Sequence, residues 1–260
     1  MSKLDTPIAM LADPRGQVAE AYRNLRVVLS KHISQGRNRF LVVSAFPGDG
    51  KSNVCVNLAV ALSQLHLRVL LVDGDLRRPT ISRIFSAQSY PGLTDWLDEQ
   101  KSQPAYETRI ANLELIPRGI CDKNPANLLS VERLNRVFRP YFEQYDAVVY
   151  DSPPLSACSD AMLLGEMADG AIMVVSPKGW DGEVEVRYKQ QLTEQGITVL
   201  GAVLNGAQGS EVLGYGYGYG KGYGYGKSYG YGYAGTPTRN KKTRSSSAFP
   251  WPWTRPDDDG

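Results

Sequence analysis

The sequence is poor in the side chains that build metal centres and disulfide frameworks. It has three cysteines and two histidines in 260 residues, and Cys55, Cys121 and Cys158 show no CxxC spacing. An odd number of widely spaced cysteines argues against a disulfide scaffold, and so few histidines exclude a locally assembled zinc set. We therefore expect a reduced, cytosolic chain.

Long apolar runs and a dominant charge are also missing. No apolar run approaches the ~18–20 residues that span a bilayer, and Met1–Pro7 lacks the apolar core of a signal peptide. The 29 basic and 27 acidic residues leave a formal net charge of +2, which excludes a strongly basic nucleic-acid coat. We expect a cytoplasmic location, with recruitment to the inner face of the plasma membrane only through a partner.

Glycine and tyrosine are concentrated near one end of the chain. Eight of the 15 tyrosines and 11 of the 26 glycines lie between residues 209 and 235. Glycine at every other position removes a packing face and raises the cost of ordering, so a flexible segment is predicted there. The sequence therefore predicts a lead-in at residues 1–15, a folded domain at 16–206 and a Tyr/Gly-rich tail at 207–260.

Apolar runs alternate with helical patterns in the predicted domain. The runs stand at residues 39–44, 68–73, 113–116, 147–150, 171–175 and 199–204. Continuous Val, Leu and Ile runs are typical of strands covered on both faces, and the helical stretches between them, including one at residues 126–142, favour parallel pairing. We predict an α/β doubly wound, mostly parallel sheet with helices on both faces. Ligands bind such sheets beyond the carboxyl ends of the strands.

A glycine-rich turn follows the first strand. Residues 45–52 read Ala-Phe-Pro-Gly-Asp-Gly-Lys-Ser, which matches the P-loop pattern G-x-x-x-x-G-K-[ST] except that Ala45 replaces the first glycine. In this pattern the backbone amides surround phosphate, Lys51 reaches the β- and γ-phosphates, and the Ser52 hydroxyl meets Mg²⁺. The preceding strand and following helix favour a P-loop NTPase-like fold with ATP and Mg²⁺ over a chance surface turn. The predicted nucleotide-contacting residues are Pro47, Gly48, Asp49, Gly50, Lys51, Ser52, Asn53 and Asn205.

Three acidic residues end two of the apolar strands. Asp73 and Asp75 follow the second strand, and Asp151 ends a later one in the sequence Val-Tyr-Asp-Ser-Pro-Pro, which resembles a Walker B motif. A single aspartate at a strand end is commonly a helix N-cap, but three beside a P-loop favour a reaction centre. One of Asp73 and Asp75 is expected to help hold Mg²⁺ and the other to take a proton, and the spacing does not assign the roles. The predicted catalytic residues are Lys51, Asp73, Asp75 and Asp151, and the predicted metal ligands are Ser52 and the same three aspartates.

Three polar residues near this centre keep two interpretations each. Arg77 and Arg78 contact phosphate or pair with neighbouring acids. Asn205 reads the adenine edge or forms part of an Asn-Gly turn.

The tail alternates tyrosine and glycine with interspersed lysines. Taken alone, this composition indicates a linker or an aromatic platform for single-stranded nucleic acid. Beside a nucleotide site it indicates phenol acceptors on a tether. The candidate phosphoacceptors are Tyr215, Tyr217, Tyr219, Tyr223, Tyr225, Tyr229, Tyr231 and Tyr233.

These motifs together resemble the bacterial tyrosine kinases of capsule and exopolysaccharide synthesis, the BY-kinases. The resemblance runs from Glu20 to Leu204, and the tyrosine cluster makes it more specific than the P-loop does. It implies ATP-dependent autophosphorylation of the tail in trans, control of polysaccharide polymerisation or export, and an opposing protein-tyrosine phosphatase. It also implies a freestanding kinase that works with a separate membrane co-polymerase as activator. No nucleic-acid partner is expected.

A helical motif near the start of the resemblance concerns self-association. Glu20, Arg23 and Arg26 fit the pattern E-x-x-R-x-x-R, which the resemblance links to a ring-like homo-oligomer. The residues alone indicate no more than an intrahelical Glu–Arg pair on a solvated face.

Two other functions remain open. A partitioning or division-positioning ATPase shares the P-loop and the acidic strands, but such proteins resemble G-K-G-G-x-G-K-T, and Phe46 stands where they have the extra lysine. A nucleotide-dependent scaffold of a membrane assembly needs no chemistry, and the intact set of Lys51, Ser52 and three aspartates argues against it.

Overall fold

The computed structural model describes residues 8–100, 103, 105–178 and 181–207, and the predicted tail lies outside these residues. The strands are β1 (Arg39–Ser44), β2 (Val69–Val72), β3 (Tyr106–Glu107), β4 (Leu113–Ile116), β5 (Ala147–Asp151), β6 (Gly170–Val175) and β7 (Val199–Leu204). They form one sheet in the order β3-β4-β2-β5-β1-β6-β7. Within this sheet only β3 pairs antiparallel, with β4. The predicted mostly parallel, doubly wound sheet is confirmed.

The helices connect these strands in alternation. They are α1 (Ala9–Ala12), α2 (Gln17–Ile33), α3 (Lys51–Ser63), α4 (Thr80–Ile84), α5 (Leu93–Glu99), α6 (Pro125–Leu128), α7 (Val131–Phe138), α8 (Asp160–Gly165) and α9 (Gly182–Glu194), with a 3₁₀ turn at Arg139–Tyr141. The single helical stretch expected at residues 126–142 is wrong. Leu129 is extended, and the Ser130 hydroxyl accepts a hydrogen bond from the amide of Arg133 at 3.3 Å, so Ser130 caps a new helix.

The core lies on both sides of the central strands. Every residue of β2, β5 and β6 is buried, as the continuous apolar runs predict. By contrast, β7 is half exposed, because it is an edge strand among the described residues. Among these residues no helix combines the length and the apolar character needed to cross a membrane.

The predicted lead-in contains one ordered turn. Met10, in α1, is fully buried, and its amide donates to Oδ1 of the buried Asn57 in α3 at 3.0 Å. This bond anchors residues 9–12 to the helix that follows the P-loop.

Asp169 joins the starts of two neighbouring strands. Its Oδ2 accepts from the amides of Asn38 and Arg39 at 2.9 and 3.0 Å, and its Oδ1 lies 2.5 Å from Nη2 of Arg39. Burial raises the pKa of Asp169, but the hydrogen bonds and charge of Arg39 outweigh it, so the pKa lies below the usual value. The carboxylate thereby stabilises the β1–β6 pairing.

We expect Asp169→Ala to lower the free energy of unfolding by about 1–3 kcal/mol at pH 7, because several half-buried donors lose their acceptor. Asp146→Ala is the matched control: Asp146 precedes β5, accepts from the Arg68 amide at 2.8 Å and is more exposed, so its loss should be smaller. Because the pKa of Asp169 is lower in the folded than in the unfolded state, where it is near ~4, the ionised carboxylate stabilises the folded protein above that pH. This contribution is lost as the pH falls through the folded-state pKa. Wild type and Asp169→Ala should therefore converge in urea unfolding as the pH is lowered past 4. Equal losses for the two variants at pH 7 would contradict this role.

Candidate active site

The P-loop occupies the turn between β1 and α3. Gly48 and Gly50 have φ angles of 93° and 88°, a region in which side chains with a Cβ are strained. The Ser44 hydroxyl donates to the Phe46 carbonyl at 2.9 Å, and the Phe46 amide donates to Oδ2 of Asp49 at 3.1 Å. These bonds hold a compact loop at the amino end of α3, where the helix dipole favours an anion.

Asn205 fastens this loop to the end of β7. Its side-chain Nδ2 donates to the Asp49 carbonyl at 2.8 Å, and its own amide donates to the Val175 carbonyl at 2.7 Å. A Cβ on Gly50 would collide with the Asn205 amide, so the close contact also requires glycine there. The structure shows the side-chain nitrogen of Asn205 bonded to the loop. The adenine contact expected of Asn205 stays a prediction.

Lys51 and Asp75 form a buried ion pair beside the P-loop. Lys51 Nζ lies 3.8 Å from Oδ2 of Asp75, and the two residues are 7% and 3% exposed. The other oxygen of Asp75, Oδ1, accepts from the Arg78 amide at 2.9 Å. Gly74 makes this arrangement possible, since a Cβ there would collide with the Asp151 carbonyl at the end of β5.

Asp73 is held from one side only. Its Oδ2 accepts from the amide and the hydroxyl of Ser82, both at 2.6 Å, whereas its Oδ1 has no partner among the described residues. Burial and then the Asp151 charge raise the pKa of Asp73 to about 8, although the Ser82 bonds oppose the shift. Asp73 thus accepts from Ser82, in the first turn of α4, through one oxygen and keeps its other oxygen buried and without a partner among the described residues.

Asp151 has a similar free oxygen. The Cys55 thiol donates to its Oδ1 at 3.6 Å, and Oδ2 has no partner in the described part of the chain. Burial raises the pKa of Asp151 to about 6, while the Lys51 charge and the polar Ser52 side chain restrain the shift. Burial likewise raises the pKa of the Cys55 thiol, which stays neutral as a weak donor.

The predicted metal ligands fit Mg²⁺ in chemistry. The two partnerless carboxylate oxygens of Asp73 and Asp151 and the Ser52 hydroxyl are hard oxygen donors, which Mg²⁺ prefers. In the part of the chain that is described, no three or more His, Cys, Asp or Glu side chains are placed to hold a metal by themselves. Bound Mg²⁺ usually takes one or two carboxylates from the protein and the rest of its ligands from water and nucleotide phosphates.

The remaining site residues take structural partners. Arg77 Nε lies 3.0 Å from Oδ2 of the buried Asp160, which is the ion-pair alternative for this arginine. Asn53 Oδ1 accepts from the Asn57 side chain at 2.8 Å. Sequence reasoning missed Asp160, Ser82 and Cys55, because each reaches the site from a different segment and matches no pattern.

If Asn205 acts by holding the P-loop, its substitution should weaken the binding of phosphate groups as well as of the whole nucleotide. We expect Asn205→Ala to weaken ADP binding by about tenfold, and inorganic tripolyphosphate binding equally, because the loop loses a hydrogen bond. Asn205→Asp should weaken both further, because a carboxylate would face the Asp49 carbonyl. Asn135→Ala, on α7, is the control and should leave both affinities unchanged. Calorimetric titration that shows loss of ADP affinity alone would instead assign Asn205 to the adenine.

Known proteins resemble this chain over most of its length. A family model described as ParA, NUBPL iron-transfer P-loop NTPase, matches residues 35–210. The tyrosine-protein kinase YwqD of Bacillus subtilis is 32% identical over 208 residues, which cover 79% of this chain and 88% of YwqD.

Solved structures give the same result. The kinase domain of the Escherichia coli tyrosine kinase Etk matches with a TM-score of 0.69 at 26% identity, over 84% of this chain and 87% of that domain. The septum site-determining protein MinD of Pyrococcus horikoshii, solved with Mg-ADP, matches with a TM-score of 0.54 at 26% identity, over 64% of this chain and 71% of MinD.

The division-ATPase fold is thus shared, and the likeness to the kinases extends over more of the chain. A P-loop NTPase fold implies nucleotide binding, and the curated relatives are tyrosine-protein kinases, so the enzyme class predicted by resemblance is confirmed. The chain therefore belongs to the ParA-type P-loop NTPases and, within that fold, to the bacterial tyrosine-protein kinases.

Proposed function

We propose that this kinase uses Mg-ATP to phosphorylate its own C-terminal tyrosine cluster in trans, and thereby regulates polysaccharide polymerisation or export. The observation that carries the proposal is the buried Lys51–Asp75 pair beside Asp151, set against the P-loop in a chain with eight clustered tyrosines. An acceptor-rich segment and a phosphoryl-transfer site on one chain favour self-modification over a scaffold or a pure ATPase.

The Lys51–Asp75 pair supports one division of roles. Lys51 has to turn from Asp75 toward the β- and γ-phosphates, which leaves Asp75 Oδ2 without its cation. A tyrosine phenol titrates near pH ~10 and needs an acceptor for its proton at neutral pH. We assign that acceptor to Asp75.

Asp73 and Asp151 suit the other role. Each keeps one buried oxygen without a partner, and Ser82 or Cys55 orients the opposite oxygen. We assign both carboxylates, with Ser52, to holding Mg²⁺, which neutralises phosphate charge during transfer. The chain's own contribution to the transfer is then positioning and a proton acceptor.

Transfer in trans requires that copies of the chain meet, and α2 supports this. Glu20 pairs with Arg23 at 2.8 Å on the exposed surface, while Arg26 donates to the Ala61 carbonyl of α3 at 3.0 Å. The same helix exposes Val27 by more than half, and Val27 follows Glu20 by seven residues and Arg23 by four, so the three share one helix face. An exposed apolar side chain beside a charged pair supports an interface, so we propose ring-like self-association through α2.

The wider setting rests on the family resemblance. We propose a membrane co-polymerase that activates the kinase and recruits it to the inner face of the plasma membrane, and a protein-tyrosine phosphatase that resets the tail. Each phosphotyrosine adds about −1.5 to −2 in charge, so eight would add about −12 to −16. Against a net charge of +2, repulsion of that size would oppose docking of the tails and dissolve the oligomer.

The first test is intact mass and peptide mapping after dephosphorylated protein is incubated with Mg-ATP. We expect repeated additions of one phosphate on Tyr215–Tyr233 in wild type and none in Lys51→Met, because the phosphates lose their cation. Lys189→Met, on the exposed face of α9, is the matched control and should be phosphorylated like wild type. ADP release with unmodified tyrosines, even with the activator's cytosolic segment added, would point to an ATPase instead.

Two arms of the same assay address trans transfer and the aspartates. Lys51→Met protein mixed with an active variant whose eight tail tyrosines are Phe should gain phosphate only if transfer is intermolecular. Asp75→Asn should abolish transfer while it keeps Mg-ADP affinity, whereas Asp73→Asn should weaken the Mg²⁺ dependence of ADP binding. The reverse pattern would exchange the two assignments.

Sedimentation before and after ATP tests the proposed oligomer. We expect Val27→Asp to be more monomeric than wild type, because it places a charge in the proposed α2 interface. Val186→Asp, an equally exposed valine on α9, should not. ATP should dissociate wild type but not the variant with eight Phe substitutions. If that variant dissociates as wild type does, tail charge is not the switch.

A further inference from the structure

Glu185 is a buried carboxylate that the proposed mechanism does not use. It lies in the first turn of α9 and is 6% exposed. Its Oε2 finds no hydrogen-bond partner in the described part of the chain. Because a buried acceptor without a donor is costly, such an atom in a native protein calls for a ligand or another explanation.

The topology places Glu185 at the edge of the sheet where ligands bind. The helix α9 begins after the carboxyl end of β6, and the last residue of β6, Val175, is tied to the P-loop through Asn205. Asp49, the loop residue that Asn205 holds, is itself buried. Burial, then the Asp49 charge, then the Asp181 charge raise the pKa of Glu185, in agreement with its place at this edge of the sheet.

The charges around Glu185 exclude phosphate as its ligand. Asp49 is buried in the loop, Asp181 caps α9, and Glu183 stands in the same first turn. A phosphate group would be repelled by these acids and would offer acceptors rather than donors. The missing partner is therefore a hydrogen-bond donor other than phosphate.

We infer that Glu185 recognises the nucleoside half of the nucleotide, accepting a hydrogen bond from a ribose hydroxyl or from the adenine amine. These groups are the hydrogen-bond donors in the nucleoside half of ATP, at a distance from its phosphates. The inference rests on the proposed nucleotide site and adds a specificity-determining residue to it.

Calorimetric titration of the full chain with four nucleotides tests the inference. The ligands are ADP, 2′-deoxy-ADP, 3′-deoxy-ADP and inosine diphosphate, which lacks the amine, each with Mg²⁺. In wild type, removing the recognised donor should weaken binding by about tenfold, since a hydrogen bond to a charged group is lost. In Glu185→Ala that preference should vanish. Glu185→Gln should reduce it and should fold at least as stably as wild type, because it removes a buried charge.

The control variant is Glu183→Gln, an exposed acid two residues away, which should keep every wild-type preference. If Glu185→Ala loses the preference for ADP over a deoxy analogue, Glu185 contacts the ribose. If it loses the preference for ADP over inosine diphosphate, Glu185 contacts the adenine amine. If the affinities of all three analogues relative to ADP stay at their wild-type ratios in Glu185→Ala, the inference is wrong. Failure of the whole nucleotide site looks different, because wild type itself would then not bind ADP.

Discussion

The structure depends on the close approach of β2 and β5, which brings three carboxylates to one ammonium group with almost no solvent. Gly74 permits it, because no side chain separates the turn after β2 from the end of β5. Lys51 neutralises one of the acids, and burial together with mutual repulsion raises the pKa values of Asp73 and Asp151. The protein thus holds an excess of buried negative charge that a divalent cation would relieve.

The rest of the fold maintains this costly arrangement. The helix α3, which carries Lys51 and Ser52, is buried along nearly its whole length. The carboxyl end of the P-loop is therefore held in a fixed position. Ser82 on α4 and Cys55 on α3 each bond one oxygen of an aspartate and leave the other free. Asn205 fastens the loop to an edge strand. Buried polar networks of this kind hold reacting groups in place more rigidly than surface loops do.

Local patterns were sufficient to predict most of the fold and several residues that the structure brings together beside the P-loop. Continuous apolar runs identify the central strands, and the P-loop and strand-end aspartates identify Lys51, Asp75 and Asp151. The break at Ser130 was missed because one cap hydrogen bond outweighed a continuing helical pattern. The adenine contact of Asn205 stays a prediction, and the bond from its amide to the Asp49 carbonyl was not expected. The contacts of Asn205 with Asp49 and of Cys55 with Asp151 join segments separated by many residues, and a local sequence pattern does not predict them.

The single lysine has a kinetic consequence. On the assignment proposed above, Lys51 leaves Asp75 when it turns to a nucleotide phosphate, so the proton acceptor is masked until ATP arrives. A tyrosine that enters first meets a neutralised carboxylate, and a tyrosine that enters second meets a free one. Substrate addition is then compulsory in order, nucleotide before phenol, and the resting enzyme is protected from idle encounters with the tyrosines of its own tail.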